Sequence, residues 1–116
     1  MTRALLLENP HDVADDIFAK FGIEVTRVKG ALSEDDLIEA LEGMDYLGLR
    51  SKTEVTERVL RARPKLKAIG AFCIGTNQID LATATEMGIA VFNAPYSNTR
   101  SVVELAIGEI IDLSRR

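Results

Sequence analysis

Short apolar runs alternate with helix-like segments about every 20 residues, and this rhythm constrains the fold of the chain more than any other feature. Four of the strand-like runs are mainly apolar, at 3–7, 46–49, 66–73 and 89–92, and a fifth, at 23–28, alternates apolar with polar residues as a half-buried strand does. Strands that alternate with helices favour βαβ units and a parallel sheet. The sequence therefore predicts an α/β fold: an open, flavodoxin-like parallel five-stranded sheet with helices on both faces.

Composition narrows the class of partner. The chain has 116 residues, a net charge of −4 and a pI near 5.0, which argues against nucleic acid or an anionic membrane as its main partner. No apolar run approaches the roughly 18 residues that a membrane span needs. One cysteine and one histidine cannot complete a structural zinc site, and a single cysteine fits a reducing cytoplasm. The composition fits a cytoplasmic protein, and a locally basic pocket can still bind a small acidic metabolite.

Polar residues follow the third predicted strand directly. In open parallel sheets, ligands bind beyond the carboxyl ends of the strands. Arg50 stands at that edge, where a guanidinium can hold a carboxylate or phosphate through paired hydrogen bonds. A solvated arginine before a helix is the plainer alternative. Lys52 lies beside it, and Ser51 or Thr53 is expected to cap the following helix.

The stretch "AFCIGTNQID" ends the fourth apolar run at a glycine turn. Backbone N–H groups at Ile74 and Gly75 are suited to bind a carboxylate, and Asn98 adds a neutral donor near the next strand end. Gly70 and Gly75 have the spacing of a phosphate loop but lack its lysine. Cys73 has no histidine near it in sequence, which favours a structural role. The chain also lacks G-x-G-x-x-G, so we do not expect it to bind NAD by itself.

Residues 101–113 form a predicted helix that is apolar around most of its circumference. Such a helix must be buried on more than one side, so part of its surface is expected to meet another domain or another subunit. A homo-oligomer assembled through residues 101–113 is therefore expected.

The segments "LRSKT", "IGTNQIDL", "FNAP" and "SNTRSVVEL" resemble the D-isomer-specific 2-hydroxyacid dehydrogenases, and most densely the members that oxidise 3-phosphoglycerate in serine biosynthesis. The resemblance is dense over residues 46–114 and weaker before them. It implies that residues 1–100 are a substrate-binding domain. It also implies that residues 101–116 begin a long hinge helix leading to an NAD-binding domain that this chain lacks. The chain alone is then expected to be inactive.

The resemblance also assigns roles to single residues. It implies that Arg50 faces the acidic group of the substrate, that amides at Ile74 and Gly75 bind its carboxylate, and that Asn98 lines the same cleft. The family's catalytic residues and its NAD site lie in or after the nucleotide domain, so none is expected here. Some members carry an arginine where this chain has Ala71. Phosphate recognition is then expected to depend on Arg50, on Ser51 and Lys52 beside it, or on a neighbouring subunit.

Two other functions stay open at this point. One is a dehydrogenase of the same family that acts on another D-2-hydroxy acid. The other is a non-catalytic flavodoxin-like module for binding or oligomerisation, such as a receiver-type signalling domain. A receiver needs an acidic pair after the first strand and an aspartate after the third. Here Glu8 is followed by Asn9, and the third strand ends at Arg50, which disfavours a receiver.

Overall fold

The computed structural model describes residues 2–8, 18–71 and 77–93, and within them the chain forms a five-stranded parallel sheet. Its strands are β1 (Arg3–Leu7), β2 (Glu24–Val28), β3 (Tyr46–Leu49), β4 (Ala68–Ala71) and β5 (Ala90–Asn93). Their spatial order is β2-β1-β3-β4-β5, which is the flavodoxin-like order. The predicted α/β class, parallel sheet and strand count are therefore confirmed.

The described helices that connect successive strands are short and are capped by side chains. They are α1 (Glu34–Ala40), α2 (Glu57–Ala62) and α3 (Leu81–Glu86). Ser33 caps α1 by accepting a hydrogen bond from the Asp36 N–H at 3.3 Å, as its spacing predicts. The expectation that Ser51 or Thr53 caps the helix after β3 is wrong, because Thr56 caps α2.

The later start of α2 has a tertiary cause. Val55 lies four residues before Val59, a spacing that fits a helix, but it forms a parallel bridge with Ile79. The Val55 N–H donates to the Gln78 carbonyl at 2.8 Å, and the Val55 carbonyl accepts from the Asp80 N–H at 2.9 Å. These contacts keep the chain extended after β3, so the helix begins only at Glu57.

The central strands β1, β3 and β4 are buried on both faces, as expected for parallel strands inside a sheet. On one face, alternate strand residues pack with α1, α2 and α3 into a single apolar core, and burial of each large aliphatic side chain there contributes about 1.5–3 kcal/mol. That core includes Leu5, Leu7, Leu47, Leu49, Ile69, Leu37, Leu41, Val59, Leu60 and Ala84. On the opposite face Ala4, Leu6, Tyr46 and Ala68 are also buried.

Several predictions fall on residues that the structure does not describe. These are the long apolar helix at 101–116, the glycine turn at Ile74 and Gly75, and Asn98. The presence of helices on both faces also stays a prediction. Helix α1 contacts α2, α2 contacts α3, and all three pack on the same face of the sheet. Among the described helices, none has the length and apolar character to cross a bilayer.

Candidate functional site

The carboxyl ends of β1, β2 and β3 lie at one edge of the sheet. The residues that follow them line a solvent-open pocket of about 380 Å³. Its lining residues are Glu8, Gly30, Arg50, Ser51 and Lys52. Glu8 directly follows β1, Gly30 lies two residues beyond β2, and Arg50 directly follows β3. The pocket thus lies at the edge where ligands bind in sheets of this kind.

Glu8 holds the segment that follows β3, residues 50–53, which we call the 50–53 loop. Its carboxylate accepts three backbone hydrogen bonds: Oε2 from Arg50 at 3.1 Å and Thr53 at 3.0 Å, and Oε1 from Lys52 at 2.7 Å. Glu8 is only 8% exposed. Both carboxylate oxygens are therefore occupied by the loop, and the loop's position is coupled to the end of β1.

The backbone of Glu8 is itself unusual. Its φ of 61° lies in the left-handed region, which costs a residue with a side chain about 1–2 kcal/mol. The Glu8 N–H donates to the Gly30 carbonyl at 3.1 Å, which ties this turn to the end of β2. Such strain persists only where surrounding contacts compensate for it, and at Glu8 the compensating contacts are those of the carboxylate.

The electrostatics of Glu8 follow from these contacts. Burial by itself raises the pKa of the carboxyl, but the N–H groups of Lys52, Thr53 and Arg50 outweigh it, so the pKa lies below its ordinary value of about 4.5. The Thr53 hydroxyl also lies near enough to favour the charged form, although it is buried and lacks a partner of acceptable hydrogen-bond geometry within the described residues. Glu8 is therefore ionised at neutral pH.

A second contact to the 50–53 loop comes from the segment before α3. The Gln78 side-chain amide donates to the Arg50 carbonyl at 2.7 Å. The bridge between Val55 and Ile79 follows immediately. Glu8 and Gln78 thus both bind the backbone of the loop, and these contacts restrain the positions of Arg50 and Lys52.

The cations of this loop differ from those of the helices. Arg58 and Arg61, on α2, both form ion pairs with acidic side chains. Arg50 and Lys52 are exposed, and within the part of the chain that the structure describes neither side chain has a hydrogen-bond or ion-pair partner. An unpaired guanidinium and ammonium at a pocket rim are suited to a carboxylate or phosphate.

The pocket residues support binding and orientation of an anion. Glu8 is a poor general acid or base, because its oxygens are occupied and its lowered pKa keeps it ionised. Across residues 2–8, 18–71 and 77–93, no cluster of histidine, cysteine and acidic side chains could hold a metal ion.

Sequence reasoning located part of this site. Arg50, Ser51 and Lys52 were predicted together, and the structure brings all of them into one pocket. Ile74, Gly75 and Asn98, the other predicted ligands of the substrate, lie outside the described residues. Glu8 and Gly30 were missed as site residues. The available signal was an acidic residue placed directly after the apolar run Ala4–Leu7, where a carboxylate is buried only if it has hydrogen-bond partners.

The sequence and the fold both have clear relatives. Residues 4–108 match the family described as "D-isomer specific 2-hydroxyacid dehydrogenase, catalytic domain". The chain is 53% identical over 112 residues to D-3-phosphoglycerate dehydrogenase 2 of Saccharomyces cerevisiae, covering 97% of this chain and 24% of that protein. It is 50% identical over 112 residues to D-3-phosphoglycerate dehydrogenase of Escherichia coli strain K12, covering 96% and 27%. It thus spans about a quarter of the length of these relatives.

Solved structures agree with the sequence matches. The fold superposes on the TT0316 protein of Thermus thermophilus with a TM-score of 0.75 at 27% identity, covering 82% of this chain and 31% of that one. It superposes on NAD⁺-bound 3-phosphoglycerate dehydrogenase of Entamoeba histolytica with a TM-score of 0.72 at 26% identity, covering 96% and 39%.

Proposed function

This chain belongs to the D-isomer-specific 2-hydroxyacid dehydrogenase family, and from that premise we propose that it is the substrate-binding segment of a D-3-phosphoglycerate dehydrogenase. The whole enzyme oxidises the C2 hydroxyl of 3-phosphoglycerate to give 3-phosphohydroxypyruvate. Relatives at 50% and 53% identity that carry this name support the choice of substrate within the family.

One observation carries the proposal: a pocket at the carboxyl edge of the sheet presents Arg50 and Lys52, two cationic side chains without a partner among the residues that the structure describes. 3-Phosphoglycerate has a carboxylate at one end and a phosphate at the other, so it needs two sets of donors. Arg50 and Lys52, with Ser51 between them, are proposed to bind one acidic group. The amides of Ile74 and Gly75, with Asn98, are proposed to bind the other.

NAD does not fit this segment. A nucleotide site of the usual kind needs G-x-G-x-x-G between a strand and a helix, and the sequence has no two glycines separated by a single residue. In the described residues, Gly22, Gly30, Gly43 and Gly88 occupy single turns with positive φ. We therefore assign NAD to a separate domain and assign this segment the task of holding and orienting the substrate.

Three further features are proposed from the sequence alone. Residues 101–116 begin a hinge helix toward the nucleotide domain. The apolar surface of residues 101–113 supports self-association, which sedimentation at high protein concentration would detect as a species heavier than a monomer. The single cysteine supports a cytoplasmic location.

The test is a titration of the ¹⁵N-labelled chain with 3-phosphoglycerate, followed by NMR. We expect resonances of the 50–53 loop to move, and Arg50→Ala to weaken binding about tenfold or more, because a charge-assisted contact is lost. Arg61→Ala is the matched control, since Arg61 is an exposed arginine paired on α2. It should bind like the wild type.

D-Glycerate, which lacks the phosphate, should bind more weakly than 3-phosphoglycerate. Equal binding of 3-phosphoglycerate by wild type and Arg50→Ala would remove Arg50 from the site. Equal binding of both ligands would favour another 2-hydroxy acid as substrate.

A further inference from the structure

Glu8 lines the pocket, but the proposed function does not require a carboxylate there. A buried carboxylate in a pocket for an anionic substrate adds charge of the wrong sign. A site that bound anions through its loop amides would leave those amides open. Here Glu8 occupies three of them instead.

The 50–53 loop has the form of an anion-binding turn that is already filled. Successive backbone N–H groups that converge on one point usually bind an external anion. In this chain the N–H groups of Arg50, Lys52 and Thr53 converge on the protein's own carboxylate. An incoming phosphate or carboxylate is therefore left with the side chains of the loop rather than these amides.

Ser51 is the exception in the loop. Its N–H lies between two amides that Glu8 binds, yet neither its amide nor its exposed hydroxyl has a partner within the described ranges. The loop thus divides into two sets of groups. Glu8 binds the first set, which is the backbone amides of Arg50, Lys52 and Thr53. The second set is the Arg50 and Lys52 side chains with the amide and hydroxyl of Ser51, which have no partner among the described residues.

We propose that Glu8 is a positioning residue for the substrate, whose carboxylate holds the 50–53 loop in the shape that presents Arg50, Ser51 and Lys52 to the ligand's acidic group. This proposal rests on the proposed function for the nature of the ligand. Glu8 acts through the loop and does not touch the substrate. Its effect is preorganisation, since a loop ordered before binding does not lose backbone freedom upon binding. Ordering even one residue during binding would weaken affinity about tenfold.

The first experiment compares Glu8→Gln with Glu24→Gln in the ¹⁵N-labelled chain. Glutamine keeps the volume of Glu8 but places an NH₂ group against one of the loop amides. Glu24 is an exposed carboxylate at the opposite end of the strands, paired only loosely with Arg3, and serves as the control. We expect Glu8→Gln, and not Glu24→Gln, to shift the amide resonances of 50, 52 and 53 and to speed their hydrogen exchange.

The second experiment is a double-mutant cycle with Arg50→Ala, in which binding of 3-phosphoglycerate is measured. Glu8→Gln should weaken binding about tenfold in the wild-type background. In the Arg50→Ala background the further loss should be smaller than tenfold, because one of the three residues that Glu8 positions no longer contacts the ligand. A role in stability alone would give no such coupling.

The outcomes separate this proposal from the proposed function. If the wild-type chain does not bind 3-phosphoglycerate but Glu8→Gln releases the loop amides, the choice of ligand fails and the positioning of the loop stands. If Glu8→Gln binds like wild type, or its loss is undiminished beside Arg50→Ala, the positioning role is overturned. If Glu8→Gln does not fold, hydrogen exchange of the wild-type chain provides the test. Faster exchange of the Lys52 and Thr53 amides than of the Ser51 amide would contradict the proposal.

Discussion

Replacing Glu8 with glutamine should lower the free energy of unfolding by about 2–4 kcal/mol at neutral pH. The carboxylate accepts one hydrogen bond through Oε1 and two through Oε2. The glutamine carbonyl can replace Oε2 as a neutral acceptor, so two bonds are retained but weakened. The bond from Lys52 is lost, and a bond to a charged group contributes about 1.5–3 kcal/mol. The lower desolvation cost of a neutral amide offsets part of this sum.

The loss should depend on pH with a definite sign. The pKa of Glu8 in the folded chain lies below its ordinary value of about 4.5, so the unfolded chain binds more protons in that range. The stabilisation from ionised Glu8 is therefore fully present above about pH 4.5. It declines as the pH falls through the lower folded pKa. Glutamine does not titrate, so the difference in stability between wild type and Glu8→Gln should shrink on acidification.

Urea unfolding followed by circular dichroism, at pH 7 and at steps below pH 4.5, measures both effects. Glu24→Gln, which removes an exposed carboxylate with a 3.7 Å contact to Arg3, should change stability by at most about 1 kcal/mol. Comparing the two variants also cancels the contributions of other carboxylates. The reasoning is refuted if Glu8→Gln lies within about 0.5 kcal/mol of wild type at pH 7, or if the difference widens as the pH falls.

Two further substitutions test single features of the fold. Thr53→Val should change the free energy of unfolding, measured in urea, by less than about 1 kcal/mol, because the buried hydroxyl that it removes has no well-aligned partner among the described residues. A loss above about 2 kcal/mol would mean that this hydroxyl donates a hydrogen bond to Glu8. Gly88→Ala should cost about 1 kcal/mol, seen as a lower melting temperature, because φ is +75° while nothing lies within 4 Å of an added Cβ. Gly88→Asn should cost less, and equal melting of the wild type and Gly88→Ala would contradict the strain argument.

The apolar pattern predicted a strand correctly where the apolar residues are also the ones that form hydrogen bonds within the sheet. The strands at 3–7 and 46–49 were placed correctly because each is a short apolar run bounded by polar residues. The fourth strand was predicted to begin at Leu66, two residues before β4 begins in the structure. Leu66 is buried in the core but precedes β4, which begins at Ala68. Apolar residues indicate which part of the chain is buried, and the buried part can be longer than the part that forms hydrogen bonds with neighbouring strands.

The helix after β3 shows a different kind of failure. Val55 fits the helical spacing of Val59, yet it pairs with Ile79, a residue from a later part of the chain. A contact with a distant segment overrode the local preference there, as tertiary context often does. Thr56 then became the cap, although Ser51 and Thr53 have equally suitable side chains.

The sequence by itself determined the class of fold and the position of Arg50, because strand periodicity and the residue at a strand's end are local properties of the chain. Only the tertiary structure decided what holds Arg50 in place. Glu8 lies 42 to 45 positions before the amides that it binds, and they meet because β1 and β3 are parallel neighbours whose carboxyl ends lie at one edge. The spacing of residues along the chain does not show that β1 and β3 are neighbours. The role of the Glu8 carboxylate could therefore be recognised only from the assembled sheet.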